Sequence, residues 1–557
     1  MVKTKFVNIF RLLHEEGIKG IIRVSKYYHN ENKKTKQLIK QSQPFHLISD
    51  LEREQQRQYK FCNDIKFSIL TPLYNTPINY LEELLYSLQK QTYSNWEICF
   101  ADASDEQHSN VGKVCAKWIK NDSRIKYLKL KENGGISQNT NECLKMASGD
   151  YIGLLDHDDV LHESALFEMN KYIEQYKADF LYSDEAKFDK KIEDTTSFVF
   201  KSGFGKDELR SHNYICHFTV FSVKLKDKLD ECFRKEFDGS QDHDLVLRLT
   251  EKAEKIVHVP KVLYYWRVHP GSVSMNLDTK SYAVDSSIKA IKEQLNRQNE
   301  PGEVNSNYPY RTIYRIKYDI PVQSKVCVLI HHIENEEEYE RTKEKILKNT
   351  NYAKLYIKKQ VSRSESINEV NREIEKIDAE YIVLWNAKCE PKNADWLTEM
   401  LMYVQRKDVG IVGNKVLRPD NSIYQAGIVL DNTKEEKIRL LCQGISDENQ
   451  GYEAMLRYVR NVTAVWDGCC MFKKNMFIEL GGFKKNIVGY EVIDFCLRAI
   501  ENHYTNVWTN FSTVFYYCDS SSSINMVGKE NFFTLWKTKI EQGDEYCPTV
   551  LSKLNLI

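Results

Sequence analysis

From Lys66 onward, short apolar runs alternate with amphipathic helical patterns. The runs "FSILTPLY" and "WEICFAD" have the length and composition of buried strands, and "NYLEELLYSLQKQ" between them repeats apolar residues at helical spacing. This alternation is typical of an α/β domain with a largely parallel sheet. Because parallel strands end at the same edge of a sheet, a ligand site is expected beyond their carboxyl ends.

The second half of the chain repeats this order more faintly. The stretch "AEYIVLWNAKCEPKNADWLTEM" (379–400) parallels "GDYIGLLDHDDVLHESALFEM" (149–169), and "GYEVIDFCLR" (489–498) parallels "GSQDHDLVLR" (239–248). The copies are offset by 230 residues in the first pair and by 250 in the second. Self-similarity of this kind indicates duplicated domains.

The chain of 557 residues is longer than one hydrophobic core usually supports, which also favours two domains. We expect an N-terminal helix and linker at 1–63, a first α/β domain at 64–298, a linker at 299–323 and a second α/β domain at 324–557.

Composition limits the classes of partner and the compartment. Lys+Arg and Asp+Glu both total 79, so no global basic field favours nucleic acid. The 14 cysteines show no CxxC pair, which favours reduced cysteines in a cytoplasmic protein. No apolar run has the length that a membrane span needs.

The N-terminal stretch "MVKTKFVNIFRLLHEEGIKGIIRV" places Phe6, Ile9, Phe10 and Leu13 at helical spacing among basic residues. Charged residues interrupt this stretch too early for a signal peptide. A basic amphipathic helix of this kind could lie on the inner face of the cell membrane as a peripheral contact. A helix docked on its own protein is the alternative, and the sequence favours it slightly.

The stretch "YIGLLDHDDVL" (151–161) ends a predicted strand in three carboxylates that repel one another. A divalent cation such as Mg²⁺ or Mn²⁺ would offset this repulsion, because hard cations prefer oxygen ligands. A calcium loop is excluded, since its sixth position requires glycine and Leu161 stands there. A phosphatase of the haloacid-dehalogenase type uses a similar motif, but it places that motif after the opening strand of its domain.

The remaining hypothesis is a nucleotide-sugar site. Over residues 66–275 the sequence resembles the family 2 inverting glycosyltransferases with the GT-A fold. The resemblance is carried by "PLYN" (72–75), the aspartate of "FADASD", the turn "NGGIS" (133–137), the acidic motif, "GSQDHD" (239–244) and "WRVHPGS". Three further segments, around 182–188, 201 and 213–218, are similar to the branch that makes bacterial cell-surface polysaccharides.

The resemblance implies an α/β fold class with two tandem GT-A-like (nucleotide-diphospho-sugar transferase) domains. It implies mixed, mainly parallel sheets preceded by an N-terminal helical segment. It also implies roles for individual residues. Those assigned to the donor, its diphosphate or the acceptor side are Pro72, Tyr74, Asn75, Asp102, Asn133, Gly135, Asp156, Asp184, Glu185 and Lys201.

The resemblance further implies metal ligands and a general base. The metal ligands would be Asp156, Asp158 and His269, and the base would be Asp242. Asp102 would bind the nucleobase without the usual second acid beside it. Each role has a structural alternative. Asp242 could be a helix N-terminal acid, His269 a lone surface histidine, and the charges at 184, 185 and 201 buried strand-end groups.

The second copy departs from this pattern where chemistry is expected. By the offsets, Asn386 and Lys388 correspond to Asp156 and Asp158, and Val492 corresponds to Asp242. A lysine repels a cation and a valine accepts no proton, although Glu491 could stand in as a base. We expect an inactive domain that docks on the first domain, holds a glycan acceptor or builds a homo-oligomer.

The leading hypothesis is metal-dependent transfer from a UDP- or dTDP-sugar to a hydroxyl of a surface polysaccharide or lipid-linked glycan. A non-catalytic nucleotide-sugar or glycan-binding scaffold is the main alternative. The phosphatase hypothesis would require a phospho-aspartyl intermediate at Asp156.

Overall fold

The computed structural model describes residues 35–269, 281–320, 324–360, 367–517 and 528–554, together with Lys33 and residues 556–557. The predicted amphipathic helix at the N-terminus lies outside this part of the chain. The described chain begins with helix α1 (35–46) and helix α2 (Asp50–Gln58). Among the described residues, no helix has the length and hydropathy to cross a membrane.

The first α/β domain contains a nine-stranded mixed sheet with helices between its strands. Its strands are β1 (Phe67–Leu73), β2 (Trp96–Asp102), β3 (Ile125–Lys129), β4 (Tyr151–Leu154), β5 (Val160–Leu161), β6 (Phe180–Phe188), β7 (Ser197–Val199), β8 (Thr219–Ser222) and β9 (Ile256–Arg267). Its helices are α3 (Ile78–Gln89), α4 (Asn110–Ile119), α5 (Ile136–Met146), α6 (Ala165–Tyr176), α7 (Lys206–Ser211), α8 (Val223–Lys226), α9 (Gln241–Lys252) and α10 (Ser281–Arg297).

The strand order is β3-β2-β1-β4-β8-β6-β9-β5, and β7 pairs with β6. The first four strands are parallel, β8 runs antiparallel to both of its neighbours, and β6 and β9 pair in parallel. The carboxyl ends of β1, β2 and β4 therefore meet at one edge. A hairpin of β10 (Gly302–Asn307) and β11 (Tyr310–Tyr318) follows α10.

The second domain builds another nine-stranded mixed sheet. Its strands are β12 (Val326–His331), β13 (Leu355–Lys359), β14 (Tyr381–Asn386), β15 (Cys389–Pro391), β16 (Val409–Leu417), β17 (Ile423–Gln425), β20 (Arg460–Asn461), β21 (Cys469–Lys473) and β22 (Thr505–Tyr516), beside a separate hairpin of β18 (Ile428–Leu430) and β19 (Ile438–Leu440). Its helices are α11 (Glu336–Lys348), α12 (Ile367–Lys376), α13 (Trp396–Val404), α14 (Lys474–Glu479), α15 (Glu491–Glu501), α16 (Lys529–Leu535), α17 (Lys537–Gln542) and α18 (Thr549–Lys553).

The two sheets share one topology. The order β13-β12-β14-β21-β16-β22-β15 matches the first sheet strand for strand, with the same parallel and antiparallel pairings, except that the described residues of the second domain contain no counterpart of β3. Both sheets are mixed and flanked by helices, as the sequence predicts. The duplication seen in the sequence is therefore a duplication of the fold.

An ion pair inside one helix of each domain repeats with the same partners. Asp244 and Arg248 in α9 correspond to Asp494 and Arg498 in α15. In each copy the guanidinium also donates to backbone carbonyls of the preceding loop, Glu231 and Cys232 in the first domain and Leu480 and Gly482 in the second. The pair fixes the loop against the helix, because a buried guanidinium needs several acceptors.

The domains meet through both apolar and charged contacts. One face of the first sheet shares a continuous apolar core with the second domain, while the opposite face packs on its own helices. Asp207 in α7 forms a bidentate ion pair with the buried Arg406 and accepts from Asn461 Nδ2 at 3.1 Å. The Tyr318 hydroxyl lies 2.8 Å from Arg210 and 3.0 Å from Arg406.

Replacing Asp207 with alanine should destabilise the protein strongly, because Arg406 would keep its charge in a buried site without its main partner. We expect a loss of about 3–5 kcal/mol in the free energy of unfolding, measured by denaturant titration. The control D378A removes an acid from an exposed pair with Lys325, and its stability should stay close to wild type. Equal stability of the two variants would contradict this role for the pair.

Candidate active site

A cleft of about 1140 Å³ opens beyond the carboxyl ends of the first sheet and reaches the second domain. Most of the residues predicted from the sequence line it, namely Pro72, Tyr74, Asn133, Gly135, Asp156, Asp158, Glu185, Lys201, Asp242 and His269. Asn75, Asp102 and Asp184 do not line this cleft. The strands and helices thus bring together residues that are almost 200 positions apart in the sequence.

The acidic motif forms a turn after β4, and its carboxylates have different partners and different exposure. Asp156 is about half exposed, and its backbone amide donates to the Tyr264 hydroxyl at 3.2 Å. Asp159 is buried and accepts from the Tyr264 hydroxyl at 2.6 Å and from the Arg267 amide at 2.7 Å. Asp158 lies 2.8 Å from Nε2 of His269, so that this predicted pair of ligands is in contact.

Histidine 217 joins the acidic group from the loop before β8. Its Nε2 lies 3.6 Å from Asp156 and its Nδ1 lies 3.4 Å from Glu185. The sequence predicts no role for His217, although it lies in the segment 213–218, because no local spacing connects it with residues 61 positions earlier. Only the pairing of β8 with β4 brings it to the site.

These side chains fit a divalent cation. Ligand atoms of Asp156, Asp159 and His217 all lie within 4.8 Å of one another. Burial raises the pKa of Asp159 well above its usual value, and the charges of Asp158 and Asp156 raise it further. A positive ion would offset this repulsion, and a set of carboxylates with imidazole is a recognised ligand set for such ions.

Glu185 and Lys201 form a buried ion pair at the floor of the cleft, with 3.3 Å between Oε2 and Nζ. Burial alone would raise the pKa of Glu185, but Lys201 and His217 outweigh it and lower the pKa to about 2. The Lys201 ammonium also donates to the carbonyls of Ile215 and His217. Lys201 is therefore held by protein acceptors, and its predicted contact with phosphate stays a prediction.

Asp184 is buried behind the cleft wall. It accepts from the Lys201 amide at 2.8 Å and lies 2.8 Å from Nε2 of His258. Asp184 is thus a buried charge, as in the structural alternative, although it lies in the middle of β6 and not at a strand end. A contact with the acceptor stays a prediction.

Asp102 is 1 % exposed at the end of β2. Its Oδ2 accepts from the Tyr127 hydroxyl at 2.7 Å and its Oδ1 from the Ser104 amide at 2.8 Å. Asp105, three residues later, is exposed, and it accepts from Nδ2 of Asn75 at 2.9 Å. Asp105 was not predicted from the sequence, because the second acid was expected directly beside Asp102. Binding of a nucleobase by Asp102 stays a prediction.

The turn before α5 is built from an asparagine and a glycine. Asn133 Oδ1 accepts from the Gly135 amide at 3.1 Å and from Asn139 Nδ2 at 2.9 Å. Gly135 has a φ of +94°, and a Cβ there would lie 2.5 Å from Oδ2 of Asp238. Only glycine fits both the backbone conformation and the space.

Asp242 lies in the first turn of α9 and faces the cleft. Its Oδ2 accepts from Nδ2 of Asn213 at 2.9 Å, which orients the carboxylate. Asp244, two residues later, is buried in ion pairs with Arg234 and Arg248. Of these two helix acids, Asp242 is the one at the cleft.

The second domain lacks the same acidic group. Ile152 pairs with Phe221 in the first sheet and Ile382 with Phe472 in the second, which aligns His217 with Gly468. By the offset of 230, Asp156 and Asp159 correspond to Asn386 and Cys389. The Gly468 carbonyl accepts from the Asn386 amide at 2.8 Å. Neither carboxylate nor imidazole occupies these three positions.

The fold and site together define an α/β domain of the GT-A class, whose helices and strand ends surround an acidic cleft. Residues 68–229 match the model of the family described as "Glycosyl transferase family 2". This part of the chain therefore belongs to the family 2 glycosyltransferases, which decides against the phosphatase hypothesis for the acidic motif.

Relatives of known sequence extend across both domains. The chain is 30% identical over 490 residues to "Uncharacterized protein y4gI" of Sinorhizobium fredii, covering 82% of this chain and 53% of that protein. It is 27% identical to "O-antigen biosynthesis protein RfbC" of Myxococcus xanthus, covering 75% of this chain and 34% of that protein. The chain thus spans about half or less of the length of these relatives.

Among solved structures, TarS of S. aureus in complex with UDP-GlcNAc is similar over 42% of this chain and 72% of that one, with 21% identity and a TM-score of 0.33.

Gly135 and Gly444 allow a matched test of the turn before α5. Gly444 also has a positive φ, of +83°, but a Cβ there would meet nothing within 4 Å. G444A should cost about 1 kcal/mol from the backbone conformation, whereas G135A should cost about 2–4 kcal/mol because Asp238 must also move. Thermal unfolding of both variants measures the difference. Equal losses would show that contact with Asp238 does not constrain the turn.

Proposed function

We propose that residues 64–298 catalyse metal-dependent, inverting transfer of a sugar from a UDP- or dTDP-sugar to a hydroxyl group of a glycan. The observation that carries the proposal is the shared cleft. The carboxylates of Asp242, Asp156 and Asp158 line the same space, which is large enough for a donor and an acceptor sugar.

Asp242 has the position for a general base. It would take the proton of the acceptor hydroxyl while that oxygen attacks the anomeric carbon of the donor. The bond from the anomeric carbon to the phosphate oxygen breaks, and its electron pair leaves with the nucleoside diphosphate. Since a single displacement occurs on the face opposite the phosphate, the anomeric configuration inverts. Asn213 would keep the basic oxygen of Asp242 directed at the hydroxyl.

The residues at the acidic motif would hold Mn²⁺ or Mg²⁺. We assign Asp156, Asp158 and His269 as ligands, and the position of His217 beside Asp156 adds a further imidazole to this set. A cation bound there supplies positive charge against the departing diphosphate. Pro72, Tyr74, Asn133 and Gly135 would form the walls around the donor.

On the nucleobase side, Asp102, Asn75 and Asp105 lie at the ends of β1 and β2. A carboxylate there would accept the ring N–H of uracil or thymine, which favours a UDP- or dTDP-sugar.

The acceptor is proposed to be a cell-surface polysaccharide or a lipid-linked glycan. Support comes from the relatives, which include proteins described as an O-antigen biosynthesis protein and as the chondroitin synthase of Pasteurella multocida. The chondroitin synthase is 27% identical over 248 residues. A lipid-linked acceptor would place the enzyme near a membrane surface, where the basic N-terminal segment could bind.

Residues 324–557 are proposed to be non-catalytic. Asn386, Cys389 and Gly468 stand at the positions of Asp156, Asp159 and His217, and Lys388 forms an ion pair with Glu334 at 3.2 Å where the first domain has Asp158. Val492 follows Glu491 at the start of α15 in the place of Asp242. The domain keeps the fold and loses the groups that would bind a cation or accept a proton.

The variant D242N tests the base. An amide cannot accept the proton, so transfer should fall by about 10²–10⁴-fold while donor binding changes little. Transfer is measured as release of UDP or dTDP from a panel of nucleotide sugars with Mn²⁺, and donor binding by the rise in melting temperature. E251Q, on the same helix but paired with Arg297 outside the cleft, should behave as wild type. Full turnover by D242N would refute the assignment.

Manganese binding separates a catalytic site from a non-catalytic scaffold. Wild-type protein should show a melting temperature that rises with Mn²⁺ and UDP, and it should slowly hydrolyse its donor without acceptor. D156N should lose the manganese-dependent rise because a cation ligand is removed. K388A in the corresponding loop of the second domain should keep it. Donor binding without any metal-dependent hydrolysis would favour the scaffold.

A further inference from the structure

Part of the cleft wall comes from the second domain. Tyr452, Glu453, Met455, Tyr458 and Arg460 line it together with residues of the first domain. We propose that the loop 451–455 completes a subsite for a pyranose ring of the acceptor glycan, with Trp266 and Lys187 of the first domain as its other side. This inference rests on the proposed function and names the residues that select its acceptor.

The side chains of Trp266, Lys187 and Glu453 form a continuous path from the acidic group to the second domain. The ring centroid of Trp266 lies 5.7 Å from that of His217, which contacts Asp156. The Lys187 ammonium lies 5.3 Å from the Trp266 ring centroid. Glu453 Oε2 lies 3.9 Å from the same ammonium. A sugar that occupies this path would present one end to the reaction centre.

The chemistry of the path matches a pyranose. One face of a pyranose ring is made of C–H groups, which pack on the flat apolar surface of an indole. Its edge carries hydroxyls, which accept from an ammonium and donate to a carboxylate. Trp266 supplies the flat surface, while Lys187 and Glu453 supply a donor and an acceptor on one side of it. All three are partly exposed in the cleft.

The loop is held in place by the first domain. The Tyr452 hydroxyl accepts from the Phe200 amide at 2.8 Å and donates to the Phe198 carbonyl at 2.9 Å, beside strand β7. Glu453 and Ala454 have φ angles of 45° and 60°, a conformation that residues other than glycine adopt at a cost. The Tyr452 anchor is well placed to hold this conformation. Tyr452 is thus a positioning residue, and Glu453 is the group that would touch the acceptor.

The test compares acceptor and donor kinetics in E453Q, W266A and Y452F. Donor probes are UDP-GlcNAc, UDP-glucose and dTDP-glucose with Mn²⁺, and acceptor probes are p-nitrophenyl pyranosides. E453Q keeps the size of the side chain, so its fold should be unaffected. We expect the acceptor KM to rise about three- to tenfold in E453Q and at least tenfold in W266A, while the donor KM changes less than about twofold.

Y452F separates positioning from contact, because it should raise the acceptor KM without changing the Glu453 carboxylate itself. The control E448Q changes an exposed acid of the same loop region, and both KM values should match wild type. An unchanged acceptor KM in both E453Q and W266A, with an active wild type, would overturn the subsite.

An inactive wild type would instead overturn the proposed function. In that case, quenching of tryptophan fluorescence by the same pyranosides tests the subsite independently of turnover. Quenching that E453Q weakens supports a pyranose site, and equal quenching of both proteins refutes it.

Discussion

Negative charge concentrated at the end of β4 is the constraint around which the first domain is organised. The fold places Asp156, Asp158 and Asp159 in one turn. Burial and the charges of the other two carboxylates raise the pKa of Asp159. His269 lies beside Asp158 and His217 beside Asp156, where each imidazole can offset part of the repulsion. The remaining repulsion between these carboxylates favours a positive ion beside them. The same strand end in the second domain carries Asn386 and Cys389, so these two positions hold no aspartate there.

The duplicated domains show which contacts the fold keeps in both copies. The ion pair between Asp244 and Arg248 recurs as Asp494 and Arg498, with the same carbonyl acceptors in the preceding loop. That pair is buried in both copies and needs its partners wherever the helix packs on the sheet. Asp242, two residues earlier, is replaced by Val492 in the second copy, so the helix forms there without a carboxylate at this position.

Local patterns in the sequence predicted the opening strands of the first sheet and the duplication, and most of the residues singled out from the sequence line the cleft. The location of Asp156 and Asp242 could be predicted because each follows a strand or opens a helix, and such positions are fixed by neighbours in sequence. They missed His217 and Asp105, and they did not foresee that Asp102 is buried, since those outcomes depend on strand pairing across many residues. The role of Tyr452 at β7 has no local signal, because its partners lie more than 250 residues earlier.

A non-catalytic second domain, as proposed above, would still not be dispensable for the first. Its apolar core is continuous with one face of the first sheet, and Arg406 is neutralised by Asp207 of the other domain. The wall that it gives to the cleft is therefore as firmly fixed as the strands that carry the acidic group. A rigid wall limits how a long acceptor can enter, and acceptor choice in this protein should follow from the second domain as much as from the first.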